Sequence, residues 1–312
     1  MGAFRKTMLQ LLGPRPARCD LEPHVESTAD LGHSLRHRVT YLVEPGDRIP
    51  AYLFIPKGID ISRRPGIFAH HQHAGQYHLG KSEVAGLAGH PEQAYALELA
   101  ARGYVVLAPD ALAFEERGAL ADTLDTPASQ TPGQQLERFE FTKRLLYGSS
   151  LQSKYLWDMQ RGLDYLQSLT EVDPYRLGCI GHSLGGQQAL FLAAMDERVI
   201  ATISSCGFAS MKTVLRDGIN HNFAAYVPGW LTRGDVGDLL AEVAPRAFLA
   251  LNGESDRIFP VDGLHTSFEI ARAAYAAQDA ADRLDLGVYP GGHGFTDPMR
   301  ERAYAWLDRW LA

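Results

Sequence analysis

From residue 35 onward, short apolar runs alternate with longer amphipathic stretches, and this alternation organises most of the chain. Two runs, 37–43 and 49–56, flank Glu44-Pro45-Gly46-Asp47 and predict a hairpin of antiparallel strands. Six further runs are short and mostly apolar: 66–71 (GIFAHH), 104–108 (YVVLA), 176–181 (RLGCIG), 199–205, 247–252 (AFLALN) and 284–289. A run without a polar face predicts a strand covered on both sides, as in a parallel sheet. Between the runs, 92–102, 152–169, 185–195, 261–277 and 298–311 carry helical spacing. Strand-helix alternation implies right-handed crossovers, hence an α/β fold: a mostly parallel twisted sheet with helices on both faces.

Two intervals break the economy of such a fold. Residues 113–150 and 207–243 far exceed the roughly 2 to 6 residues of an ordinary connection, so each is expected to be a loop or helical excursion above the sheet. Residues 1–34 precede the first predicted strand and contain Pro14, Pro16 and Pro23, which suggests an arm with one short helix. The expected organisation is therefore an arm over 1–34 and one domain over 35–312, with insertions near 113–150 and 207–243.

Composition narrows the function. Hydrophobic residues at 46% and charged residues at 21% are globular values and exclude disorder. A net charge of −7 supplies no basic field for a polyanion, so nucleic acid is not expected as a partner. The three cysteines are odd in number and scattered, which suits a reducing compartment and points to the cytoplasm. No apolar stretch approaches the roughly 20 residues that cross a bilayer, and 8–12 is too short for a signal peptide's apolar region, so no membrane partner is expected.

The sharpest local signal is Gly181-His182-Ser183-Leu184-Gly185-Gly186, set between the run RLGCI and the apolar stretch GGQQALFLAAM. A serine on a tight strand-to-helix turn projects its hydroxyl above the sheet, and the small residues around it allow close chain approach. The next amide, that of Leu184, can donate to a developing oxyanion. A serine hydroxyl needs a base, and in this arrangement an acid and then a histidine follow in chain order. Asp256 lies in NGESDRIFP just after the strand AFLAL, and His293 lies in PGGHGF just after the strand DLGVY. Glu254 is the rival acid. Catalytic groups of open α/β sheets gather at the carboxyl ends of strands, which predicts that Ser183, Asp256 and His293 converge.

The second oxyanion donor is expected after GIFAHH, where the chain reads His70-His71-Gln72-His73-Ala74-Gly75-Gln76. The His73 amide is favoured, with Gln72 and Ala74 as neighbours able to replace it. Three histidines in four residues also admit a zinc reading, but no supporting carboxylate or cysteine pattern follows, so no metal is assigned. In PDALAFEERG, Asp110 or Glu116 has either a substrate contact or a structural pairing with Arg117. The 207–243 excursion brings Phe208, His221, Phe223, Tyr226 and Trp230, which serve as a pocket wall or as packing. Cys179 and Cys206 adjoin strands and read as buried core thiols.

Together GHSLGG, HHQHAGQYHLGK, APDALAFEERG, MDERV, APRAFLALNGESDRIFP and PGGHGF make 35–312 resemble an α/β-hydrolase of the dienelactone-hydrolase-like group, near its acetyl-xylan-esterase-like members. The resemblance implies serine-dependent ester hydrolysis without a cofactor, with Ser183 as nucleophile, His293 as base and then acid, and Asp256 orienting the imidazole. It departs from the family in two places: dienelactone hydrolases proper resemble cysteine-dependent enzymes, and Gln72 stands where many relatives have glycine. The expected function is hydrolysis of small-molecule carboxylic esters through an acyl-enzyme. An amidase or peptidase using the same triad, and a non-catalytic ligand-binding member of the fold, are the alternatives. The arm and the exposed sheet edges are compatible with a homodimer.

Overall fold

Each predicted run is a strand in the computed structural model, which describes residues 2–58, 63–118 and 132–311. The strands are β1 (His24–Asp30), β2 (Ser34–Glu44), β3 (Asp47–Pro56), β4 (Arg64–His70), β5 (Val105–Pro109), β6 (Val172–His182), β7 (Val199–Ser205), β8 (Ala247–Gly253) and β9 (Leu284–Tyr289). They form one sheet in the order β1-β2-β3-β5-β4-β6-β7-β8-β9. The first three and β5 pair antiparallel, whereas β5, β4 and β6 through β9 pair parallel. Beyond β4 the chain turns to β5 on one side and later to β6 on the other. The crevice between β4 and β6 is thus the reversal point at which open sheets place their ligands.

The helices are α1 (Ala3–Leu12), α2 (Lys81–Val84), α3 (Tyr95–Ala101), α4 (Pro132–Leu146), α5 (Leu151–Ser168), α6 (Leu184–Met195), α7 (Met211–Arg216), α8 (Val236–Ala241), α9 (Val261–Ala276) and α10 (Asp297–Leu311). Side chains of the central strands alternate between the two faces with the period of two that a pleat imposes. Phe68, Leu107 and Cys179 join the core under α5, α6, α8 and α9. Their neighbours Ile67, Val106 and Ile180 join the core under α3 and α10. Each covering helix supplies a stripe at helical spacing, such as Leu264, Phe268, Ala271 and Tyr275 on α9. By contrast α6 is buried along its whole length and is mostly apolar, and its two glutamines, Gln187 and Gln188, are each hydrogen-bonded to another side chain. Among the described residues no helix is long and apolar enough to cross a membrane.

Two expectations need correction. The first strand is not at residue 35: β1 lies inside the stretch read as an arm and pairs with β2, with Ser27 opposite Arg38 and Asp30 opposite Leu35. HVESTAD is almost wholly exposed, so it lacks the apolar pattern that marks the other strands. Its backbone pairing holds it at the sheet edge. The preceding α1 packs on its own domain, with Met8 and Leu12 in the core and the buried Arg5 paired to Glu197. The second correction concerns Asp110, whose carboxylate pairs with Lys81 Nζ at 2.8 Å and not with Arg117. Arg117 instead bridges Asp158 and Asp47, each at 2.9 Å.

Lys81 is fully buried and also meets Glu115 and Glu116, each at 2.6 Å. One ammonium thus gathers three carboxylates at the start of α2 and the start of the first excursion. Removing it leaves their charge uncompensated, which costs more than the pairing itself contributes. Lys81→Met is expected to destabilise the fold by roughly 3–5 kcal/mol, measured as a shift in urea midpoint. A loss below about 1 kcal/mol would show that water reaches these carboxylates.

Within the first excursion, 132–146 is α4, and 119–131 lie outside the described residues. The second excursion holds α7, two short 3₁₀ turns and α8, whose Asp235 and Asp238 form a reciprocal N-terminal cap.

Candidate functional site

Ser183 occupies the turn between β6 and α6 with φ 56° and ψ −119°, a left-handed backbone that a serine adopts only where the surroundings enforce it. Its amide donates to the Ser205 carbonyl at the end of β7, at 2.9 Å. The flanking glycines are required by proximity rather than flexibility. A Cβ on Gly181 would stand 2.3 Å from the backbone of Gly185, and one on Gly185 would stand 2.3 Å from the carbonyl oxygen of His70. The turn therefore draws the first residues of α6 against the end of β4.

The acid and the histidine arrive from β8 and β9, two and three strands further along the sheet. Asp256 follows β8 and is buried, with Oδ1 accepting from the amides of Ile258 and Phe259 at 2.8 and 3.0 Å. Its Oδ2 meets His293 Nδ1 at 2.8 Å. Burial by itself would raise this carboxyl, but the His293 hydrogen bond and field, together with the two amides, outweigh it and hold Asp256 below the usual carboxylate range. The rival Glu254 is exposed. His293 Nε2 is buried and has no hydrogen-bond partner among the described residues. The two nitrogens of one imidazole thus differ: one is tied to a carboxylate and the other is left for chemistry.

The His293 ring is framed by other rings. His182, the residue before the serine, lies 4.9 Å from it and stacks flat on Phe295, while Phe259 stacks from another side at 6.0 Å. His182 Nδ1 pairs with the Ser205 hydroxyl at 3.0 Å. Sequence reasoning gave Cys206 no role beyond packing. It is buried, but its sulfur lies within 4.8 Å of donor atoms on both Asp256 and His293, and its backbone is left-handed at φ 43°. The signal was present in its position, since Cys206 directly follows β7 at the carboxyl edge that carries the other three.

The histidine-rich segment after β4 disperses to separate partners. His71 Nδ1 pairs with the Gln72 carbonyl at 2.7 Å, and Nε2 accepts from the Ala111 amide at 3.0 Å. His73 accepts from the Gly75 amide at Nδ1, at 3.0 Å, and donates from Nε2 to Glu137 Oε2, at 3.2 Å. His70 is buried with Nε2 unpartnered. The three rings do not form a cation site among the described residues. Glu137, on α4, also takes the Tyr77 hydroxyl at 2.8 Å, so the covering helix is pinned to the loop after β4. Nothing in the sequence singled out Glu137. It reads as one more charge in a helix, and only the fold buries it. Leu184 opens α6 directly after the serine, packed with Phe114, Leu136 and Tyr155.

Of the proposed pocket wall, Phe208 and Trp230 belong to the main core, and Phe223 stacks on Phe141 of α4 at 4.9 Å. His221 stacks on Phe259 at 4.4 Å and is the member of that group that reaches the acid loop.

The buried histidines make a pH prediction. Burial pushes His70 and His182 down to about 3 and His71 down to about 4. In the unfolded chain an imidazole binds its proton near pH 6.5. Between these limits the unfolded state holds more protons, so stability falls as pH falls. The thermal midpoint is expected to drop on going from about pH 7 to about pH 5, and to drop less in His182→Gln. Equal slopes in the two proteins would remove His182 from this account.

Comparison with known proteins places the chain. The model of the dienelactone hydrolase family matches residues 81–312. The Bacillus subtilis (strain 168) protein YtaP, named as a hydrolase, is 29% identical over 310 residues, covering 98% of each chain. Among solved structures, a glucuronoyl esterase from Solibacter usitatus superposes with a TM-score of 0.70 at 17% identity, covering 99% of this chain and 92% of its own. Acetyl xylan esterase 1 from Thermoanaerobacterium sp. JW/SL YS485 gives 0.63 at 16% identity, covering 100% and 99%. These likenesses show the α/β-hydrolase fold.

Proposed function

The chain belongs to the dienelactone hydrolase family, and from that premise we propose that it is a carboxylic-ester hydrolase working through Ser183, His293 and Asp256 on small-molecule esters. The observation that carries this reading is the imidazole of His293, held by Asp256 through Nδ1 at 2.8 Å with Nε2 unpartnered, at the same sheet edge as the strained Ser183 turn.

Ser183 Oγ attacks the ester carbonyl carbon while His293 Nε2 takes its proton. The tetrahedral oxyanion is received by the Leu184 and His73 amides. As the carbon–oxygen bond breaks, the imidazolium returns the proton to the departing alcohol and leaves an acyl-serine. His293 then takes a proton from water, the hydroxide attacks the acyl carbon, and the acid is released with Ser183 restored. Asp256 keeps the ring in the Nδ1–H form throughout and stabilises its charged state.

The test is initial rates on p-nitrophenyl esters of increasing acyl length, together with labelling by a fluorophosphonate and identification of the labelled residue. Turnover with the label on Ser183 is expected. A folded protein that neither turns over these esters nor takes up the label would overturn the assignment.

A further inference from the structure

One stretch of the second excursion reaches the site without a role in the chemistry above. His221 and Asn222 lie between the loop that carries the acid and the first turn of the helix that follows the nucleophile. The His221 ring stacks on Phe259 at 4.4 Å, and Phe259 in turn stacks on His293 at 6.0 Å. Asn222 Nδ2 donates to Gln187 Oε1 at 3.1 Å, and the Gln187 amide donates to the Ser183 carbonyl at 3.0 Å. The position of the pair is fixed from behind, because the His221 amide donates to the Tyr226 hydroxyl at 2.9 Å.

Each residue keeps one buried polar atom without a hydrogen-bond partner among the described residues: Nε2 of His221 and Oδ1 of Asn222. Both atoms are acceptors. Burial lowers the proton affinity of the His221 ring, so it is neutral and one of its nitrogens presents a lone pair; we place the ring proton on the nitrogen that faces the Ile258 backbone, which leaves Nε2 as the acceptor. Asn222 spends its NH₂ on Gln187, which leaves its carbonyl oxygen free to accept. Folded proteins pair nearly all buried polar atoms, and a buried acceptor left alone carries the desolvation penalty of a missing bond. Two such acceptors on consecutive residues beside a catalytic serine call for a donor brought by the ligand.

We propose that His221 and Asn222 determine specificity by accepting hydrogen bonds from hydroxyl groups of the substrate, so that the preferred esters are polyhydroxylated rather than plain alkyl esters. This inference rests on the esterase reading and adds the substrate class to it. A site built to bond a hydroxyl rejects an analogue lacking it far more strongly than an apolar pocket rejects an extra methylene, because the site's own acceptors are then stranded.

The experiment compares kcat/KM on glycerol monoacetate and on n-propyl acetate, which share a three-carbon skeleton and differ in the hydroxyls. Wild type, His221→Phe and Asn222→Leu are assayed in parallel, with fluorophosphonate labelling of Ser183 to report an assembled site in each. The wild type is expected to favour the hydroxylated ester by on the order of 100-fold or more. Each variant is expected to lower that ratio by about tenfold or more while still taking up the label. Where a variant fails to label, His221→Leu and Asn222→Ala replace it. A wild-type ratio near one, or labelled variants that keep the wild-type ratio, overturns the specificity proposal and leaves the esterase standing. A folded wild type that cleaves neither ester and takes no label removes the esterase reading, and this proposal with it.

Discussion

Ser183→Ala is expected to lower kcat for ester hydrolysis by about 10³- to 10⁶-fold while leaving the fold intact. In the proposed mechanism its hydroxyl forms the acyl-enzyme, and Ser183 holds the strained turn between β6 and α6 at the sheet edge that also carries His293. Cys206 lies near the imidazole, but burial pushes its thiol far above the ordinary range, so it stays protonated and does not replace the serine. Alanine also fits the backbone no worse than serine, since both meet the same penalty at φ 56°. The checks are steady-state rates on p-nitrophenyl acetate and a thermal melt of the same preparation. Rates equal to wild type would remove Ser183 from the mechanism. Residual turnover of 10³-fold or so above water is expected from the remaining oxyanion donors and binding groups.

Asp256→Asn is the second large effect, expected at about 10⁴-fold in kcat, and its cause is different. In the native site Oδ1 accepts from the Ile258 and Phe259 amides and Oδ2 accepts from His293 Nδ1–H. An asparagine can keep the two amide bonds only through its carbonyl oxygen. Its NH₂ group then faces His293 and donates to Nδ1, which forces the ring proton onto Nε2. That nitrogen can no longer take the serine proton. The side chain is nearly isosteric, so packing is preserved and the loss appears in kcat rather than in folding. Glu254→Gln, two residues away and exposed, is the matched control and is expected to stay within about twofold. Equal losses in the two variants would show that the loop, and not the hydrogen bond, matters.

The elements that the sequence made legible are those whose residues carry their own reason. The runs 199–205 and 284–289 have the strand bounds seen in the structure, and 152–169 differs from α5 by one residue at each end, because an apolar strand or stripe has one stable way to be buried. β1 was not legible for the opposite reason. It is exposed and polar, and only the edge of β2 gives it a partner. The same division runs through the candidate site. Ser183 is marked by its own neighbours, since Gly181 and Gly185 are demanded by a turn whose chains nearly touch. Asp256 and His293 are marked by their places after strands. Cys206 is marked only by its place after β7, and Glu137 and the free acceptors of His221 and Asn222 have no local mark at all.

The sequence by itself therefore determined the strands from β2 to β9, the main covering helices, the tight turn at Ser183 and the chain order of three candidate side chains, because hydrophobic period and backbone sterics act between residues close along the chain. Only the tertiary structure decided which carboxylate meets which cation and which buried atoms lack a partner. Lys81 and Asp110, or Asn222 and Gln187, are brought together by the packing of whole elements. Hydrogen bonds and ion pairs are short-ranged, so they record where distant segments come to rest, and one sequence read without its fold holds no measure of that distance.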